Sequence, residues 1–136
     1  MDPHPISLLF VIEDERMIRE LLVDVLEDAG HRVEIATNGD DAIGILDRRA
    51  REFDAVITDI RLGSGPDGWA VARHARKLAP DLPIIYLTGD SAHEWSTHGV
   101  PGSQILHKPF SPFEVVKLVA SVLTPRAEEG SPEMRG

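Results

Sequence analysis

The sequence predicts an α/β domain: a (βα)5 doubly wound parallel sheet of five strands with helices on both faces. Three observations carry that prediction. Five strand-like runs alternate with five helix-like runs, and the loops between them are short. In the runs Ile6–Ile12 and Ala55–Thr58 apolar residues follow one another instead of alternating with polar ones, broken only by Ser7 and ended by Thr58, as in strands covered on both faces. Polar residues then gather where the strands end.

The elements follow in order. Met1 to Pro5 is a polar, Pro-interrupted lead-in, expected to be disordered. Ile6–Ile12 is the first strand, stopped by Glu13, Asp14 and Glu15. Ile18, Leu21, Leu22, Val25, Leu26 and Ala29 recur at helical spacing, and Gly30 closes that helix. Arg32 to Thr37 alternates polar with apolar, which suits a second strand nearer the sheet edge. Asn38-Gly39 is read as a turn. Asp40 to about Arg51 is the second helix, with Ala42, Ile45, Leu46 and Arg49 toward the core. After the third strand, Gly68 to Ala79 is a helix ended by Pro80, and Leu82 to Leu87 is the fourth strand. Ser91 to His98 makes a weak fourth helix, crowded by Gly99, Pro101 and Gly102. Gln104 to His107 is the fifth strand. Ser111-Pro112-Phe113-Glu114 is a capping box with proline at the first helical position, and Val115, Val116, Val119, Val122 and Leu123 give that helix its buried face. The domain is therefore expected over residues 6–123, with 124–136 a flexible polar tail.

Composition narrows the function. One hundred and thirty-six residues suit one domain with a hydrophobic core, and 42% hydrophobic with 27% charged residues is ordinary for a globular chain. A net charge of −9 argues against nucleic acid and against an anionic membrane surface. With no cysteine, disulfides, zinc–thiolate sites and a thiol nucleophile are excluded. The six histidines show no metal-ligand spacing. Ile6–Ile12 is only a strand's length, has no basic leader and runs straight into acids, so neither a signal peptide nor a membrane span is expected and a cytoplasmic setting is.

The stretch Ala55-Val56-Ile57-Thr58-Asp59 delivers a carboxylate into a loop that runs from Gly63 to Gly68, which is how open α/β sheets build sites. Alone, Asp59 is equally a helix cap or a solvated strand-end acid. The other strand ends decide. All strands of a parallel sheet end on one edge, so Glu13 and Asp14, Asp59, Thr88, and Lys108-Pro109 converge there. Crowded carboxylates repel, a divalent cation relieves the repulsion, and an all-oxygen site with water suits Mg²⁺. A metal among carboxylates, beside a hydroxyl and an ammonium, is a phosphoryl-handling set, because phosphoryl transfer needs positioning and charge neutralisation. Glu13 and Asp14 are placed as the metal-holding pair, which leaves Asp59 as the nucleophile, with Thr88 and Lys108 on the other phosphoryl oxygens.

Phe10-Val11-Ile12-Glu13-Asp14-Glu15, Val56-Ile57-Thr58-Asp59, Asp67-Gly68, Leu87-Thr88-Gly89 and Lys108-Pro109-Phe110 together resemble the receiver domains of two-component response regulators, a likeness that covers roughly residues 6 to 123. The resemblance implies a flavodoxin-like (CheY-like) strand order 2-1-3-4-5. It implies that Asp59 is the phosphoacceptor, that Asp14 binds Mg²⁺ directly and Glu13 helps through water, and that Arg61 adds its backbone carbonyl, leaving its side chain free to vary. It makes Thr88 the switch hydroxyl, Lys108 the phosphoryl partner, and Lys108-Pro109 a cis peptide. The phosphoryl donor would be a histidine kinase or a histidine phosphotransfer protein, and the output a contact with a downstream protein. Either a monomer or a dimer is compatible with it.

Two departures stand out. Ile105 occupies the position, three before Lys108, where receivers often carry Tyr or Phe, and Gly63-Ser64-Gly65-Pro66 makes the loop after Asp59 one residue longer than usual. Trp69 is expected half buried, and Trp95 either anchors a partner or packs on the fifth helix. Two other functions compete with the stand-alone phosphoacceptor. One is a constitutive interaction module, or a receiver excised from a hybrid histidine kinase. The other is an aspartyl-phosphate phosphatase, an enzyme that would want an acid at the position Arg61 fills.

Overall fold

The computed structural model describes residues 6–129, so the lead-in expected over 1–5 and the end of the expected tail, 130–136, lie outside the described residues. Five parallel strands, β1 (Leu8–Ile12), β2 (Arg32–Ala36), β3 (Ala55–Asp59), β4 (Ile84–Thr88) and β5 (Gln104–His107), form one sheet in the order β2-β1-β3-β4-β5. The helices between and after them are α1 (Arg16–Asp28), α2 (Gly39–Arg49), α3 (Gly68–Leu78), α4 (Trp95–His98) and α5 (Pro112–Glu129).

The largely apolar runs are explained by two cores, one on each face. Successive strand side chains point to opposite faces. Leu9 and Val11 of β1, Ala55 and Ile57 of β3, and Ile85 and Leu87 of β4 pack with Leu22 and Leu26 of α1 and Val115 and Val119 of α5. Phe10, Ile12, Val56, Ile84 and Tyr86 pack on the other face with Leu46 of α2 and Val71, Ala72 and Ala75 of α3. Phe10 stacks on Phe53 there, with ring centroids 4.6 Å apart.

Several boundaries move for physical reasons. In α1 the buried residues are Leu22 and Leu26, while Leu21 and the C-cap residue Ala29 are exposed, because the helix touches the sheet along a narrower stripe than its apolar spacing suggests. Asn38-Gly39 is a helix start, not a free turn: the Asn38 side chain accepts the Asp41 N–H at 2.8 Å, and a Cβ on Gly39 would overlap the Pro66 carbonyl oxygen. α2 gives way to a 3-10 turn at Ala50–Glu52. β4 begins later than Leu82 and takes in Thr88. The fourth helix is a 3-10 turn, Ala92–Glu94, followed by a single α turn. The capping box of α5 forms in both directions, with Ser111 N–H to Glu114 Oε1 at 2.8 Å and Glu114 N–H to Ser111 Oγ at 3.1 Å. α5 continues to Glu129, past Leu123 where the expected domain ended.

Trp69 is buried, not half buried: it packs against Tyr86 with ring centroids 4.7 Å apart. Trp95 joins the same core and donates its Nε1–H to Ser103 Oγ at 3.0 Å, so it packs on the opposite side of the sheet from α5. No helix among the described residues is long and apolar enough to cross a membrane.

Candidate functional site

The strand order reverses between β1 and β3: β1 is followed on one side by β2 and on the other by β3. Chains leaving such a pair diverge to opposite faces, which opens a crevice at the C-terminal ends of the strands. Ile12 pairs with Thr58, so the residues just beyond them, Glu13 and Asp59, stand at its mouth side by side.

The side chains of Glu13, Asp14 and Asp59 each bring a carboxylate oxygen to within 4.8 Å of the other two. Glu13 is 0% exposed and Asp59 only 7%, while Asp14 faces solvent. Burial, and then the neighbouring Asp59 charge, push the Glu13 carboxyl from its ordinary 4.5 up to about 8. Lys108 gives partial relief. Its Nζ lies 3.0 Å from Asp59 Oδ2, 3.4 Å from Glu13 Oε1 and 3.7 Å from Glu15 Oε1. Burial works to lower the Lys108 ammonium, but hydrogen bonding and charge from Asp59 and Glu13 win and hold it above its ordinary value. One ammonium among these acids is too little positive charge, and every donor atom is oxygen. That set fits Mg²⁺.

Asp59 is held from several sides. Its Oδ1 accepts the Arg61 N–H at 3.4 Å and its carbonyl accepts the Thr58 hydroxyl at 2.8 Å. Gly68 lies flat against its backbone: the Gly68 N–H bonds the Ile60 carbonyl at 2.7 Å, and a Cβ on Gly68 would overlap the Asp59 carbonyl oxygen. Asp67 caps α3 by accepting the Ala70 N–H at 3.0 Å, so the Asp67-Gly68 pair starts the helix and seats the acid at once. Lys108 is fixed by its own N–H, bonded to the Thr88 carbonyl at 2.8 Å, and the Lys108-Pro109 peptide is cis.

Thr88 ends β4 one residue past Leu87, the register partner of Asp59. Its Oγ1 accepts the Ser91 N–H at 2.7 Å and the Asp90 N–H at 3.2 Å. Both acceptor positions are filled, which leaves its O–H to donate. Thr88 makes no hydrogen bond to Asp59 among the described residues, so the cluster proper is Glu13, Asp14, Asp59 and Lys108, with Thr88 beside it.

The Arg61 side chain is not idle. Its Nε pairs with Asp90 Oδ1 at 3.0 Å, tying the segment after Asp59 to the segment after Thr88, and Ser91 Oγ donates to the same oxygen at 3.1 Å. A cleft of about 700 Å³ opens beneath this tie, lined by Arg61, Leu62, Trp69, Ser91, Glu94 and His98 among others. Sequence reasoning missed Glu15, Asp90 and Ser91, whose roles come from loop geometry. It also missed Arg19, whose Nη1 donates to the carbonyls of Glu13 and Asp14. The only sequence signal for Arg19 was a basic residue one turn into the helix that follows an acidic loop.

Comparisons with known proteins agree with this arrangement. Residues 9–120 match the response regulator receiver domain family. A response regulator receiver protein from Sinorhizobium medicae is 39% identical, with a TM-score of 0.85 over 89% of this chain and 97% of that one. The receiver domain of the sensor histidine kinase PA1611 from Pseudomonas aeruginosa, solved with a magnesium ion coordinated in its active site cleft, has the same fold at 23% identity, a TM-score of 0.76, and coverage of 88% and 98%. The transcriptional regulatory protein YbdJ of Bacillus subtilis is 29% identical over 116 residues, 85% of this chain and 50% of that protein. The chain thus spans about half the length of the curated relatives it matches.

Proposed function

The chain belongs to the response regulator receiver domain family, and on that premise we propose that it accepts a phosphoryl group on Asp59 from a phosphohistidine donor and reports it by protein contact. One observation carries this: three carboxylates within 4.8 Å share an edge with an ammonium 3.0 Å from the most enclosed accessible one, Asp59. Asp59 Oδ attacks the phosphorus as the bond to the donor imidazole breaks. Bound Mg²⁺ supplies charge neutralisation for the phosphoryl oxygens. Asp14 and Glu13 would hold it, Glu13 through water, together with Asp59 and the Arg61 carbonyl. Lys108 leaves its pairing with the Asp59 carboxylate for a phosphoryl oxygen, and the free O–H of Thr88 donates to another. The receiver is a phosphoacceptor and not a turnover enzyme: the position that would carry a general acid holds Arg61, which faces Asp90.

The donor is a histidine kinase or a histidine phosphotransfer protein. Met17 and Phe113, 83% and 71% exposed, stand in the first turns of α1 and α5 beside the acids and Lys108, and offer it apolar contact at the same edge. On this reading the protein acts in the cytoplasm, where such donors would present their phosphohistidine. The test is labelling by a small phosphodonor such as phosphoramidate. Label should require Mg²⁺ and disappear in Asp59→Asn; label that survives in that variant moves the nucleophile elsewhere.

Ile105 favours a second reading, a constitutive interaction module. It sits opposite Tyr86 in the β4–β5 register and packs into the core, where an aromatic residue would otherwise switch. Partner affinity measured with and without phosphorylation separates the two. A change below about threefold supports the constitutive module, since real coupling gives about 1–3 kcal/mol.

A further inference from the structure

Glu13 and Asp14 sit on the short connection between β1 and α1, where Glu15 N–H donates to Glu13 Oε2 at 3.4 Å and the Asp14 carboxylate accepts no such bond among the described residues. β1 ends at Ile12, and the last bond to the sheet is the Glu13 N–H to the Ala36 carbonyl at 3.2 Å. α1 then begins at Arg16 with Glu15 as its N-cap residue, and Glu15 makes no side-chain cap bond. α2, α3 and α5 do start with such a bond, from Asn38, Asp67 and Ser111. A cap normally fixes the approach of the chain to its helix. Here the tie comes from inside the helix. Arg19 reaches back, and its Nη1 donates to the Glu13 carbonyl at 3.0 Å and to the Asp14 carbonyl at 3.4 Å. Among the described residues those carbonyls accept no other hydrogen bond.

We propose that Arg19 is a positioning residue for the Mg²⁺ site: by clamping these two carbonyls it aims the Glu13 and Asp14 carboxylates before the cation arrives. The inference rests on the Mg²⁺ reading above. Groups that orient metal ligands without touching the metal are worth about 10–100-fold in affinity. Coulomb's law and positioning make opposite demands here. A guanidinium beside a cation site repels the cation, so deleting it should tighten Mg²⁺ binding if charge were all that mattered. If positioning dominates, deletion weakens binding.

Arg19→Met keeps the apolar stem and removes the donors, while Arg19→Lys keeps a charge and one donor group. Mg²⁺ titrations followed by backbone amide shifts, at fixed ionic strength, give the dissociation constants. Arg19→Met is expected to weaken Mg²⁺ binding about tenfold, and Arg19→Lys to recover part of the loss. Thermal unfolding in EDTA, run alongside, shows whether each variant is folded; a merely structural Arg19 would lower that midpoint and leave the Mg²⁺ constant alone. An Arg19→Met constant within twofold of the wild type, or tighter, overturns the inference. Asp14→Asn is the control for the underlying reading: a wild type with no saturable Mg²⁺ shifts, or one that matches Asp14→Asn, overturns the metal site itself and the inference with it.

Discussion

At the scale of single residues, Glu13 holds the strongest tension in the molecule. It is wholly buried, its carboxyl is pushed up to about 8, and its nearest positive charge is Lys108 Nζ at 3.4 Å. Between pH 4.5 and about 8 the folded chain therefore tends to keep a proton on Glu13 that the unfolded chain releases. Below the ordinary value of 4.5 the resulting stabilisation is fully present, and it is lost as pH rises through the window from 4.5 to about 8. In EDTA the unfolding midpoint should fall across that window, and saturating Mg²⁺, which favours the ionised carboxylates, should flatten the fall. A midpoint that is level with pH in EDTA would mean the carboxyl is not displaced. Lys108 acts in the opposite sense. Lys108→Met leaves the Asp59 carboxylate uncompensated, and should cost on the order of 2 kcal/mol in urea unfolding without Mg²⁺, below the roughly 3–5 kcal/mol of a fully buried pair because Lys108 keeps some exposure. The same variant should accept phosphate poorly even with Mg²⁺ present.

At the scale of elements, junctions do more than strands to build the site. The β3–α3 junction is the tightest. A Cβ on Gly68 meets backbone of Asp59 and Ile60, atoms that cannot rotate away as a side-chain tip could. Gly68→Ala should therefore cost about 1–3 kcal/mol by overpacking and slow phosphorylation by displacing Asp59; unchanged phosphorylation would show that the strand end tolerates the shift. The tie between Arg61 and Asp90 is a contrast. Both side chains are 67% exposed, so Arg61→Ala should change stability by less than about 1 kcal/mol. Its effect belongs instead on the β4–α4 segment, because Asp90 and Ser91 both bond Thr88. At α5, Ser111→Ala should cost about 1 kcal/mol through loss of its bond to the Glu114 N–H.

At the scale of the whole molecule, hydrophobic pattern and strand ends made most of the fold legible. Largely apolar runs in β1 and β3 demand cover on both faces, parallel strands put their ends together, and so Glu13, Asp14, Asp59, Thr88 and Lys108 could be gathered to one edge from the sequence. What was hidden depends on paths through space. Spacing cannot say that Arg19 turns back toward Asp14, that Arg61 crosses to Asp90, or that Gly39 is needed because Pro66 lies on it. The one-turn α4 was hidden for a similar reason, since Gly99 and Pro101 shorten a helix by an amount that only packing against Trp95 decides. The central claim is tested most directly by treating the protein with a small phosphodonor and Mg²⁺, trapping the product with borohydride, and mapping the reduced residue by mass spectrometry. Reduction of an aspartyl phosphate leaves homoserine, and the expected result is homoserine at position 59, only when Mg²⁺ is present. Homoserine at another aspartate, or equal trapping at position 59 without Mg²⁺, would contradict the account.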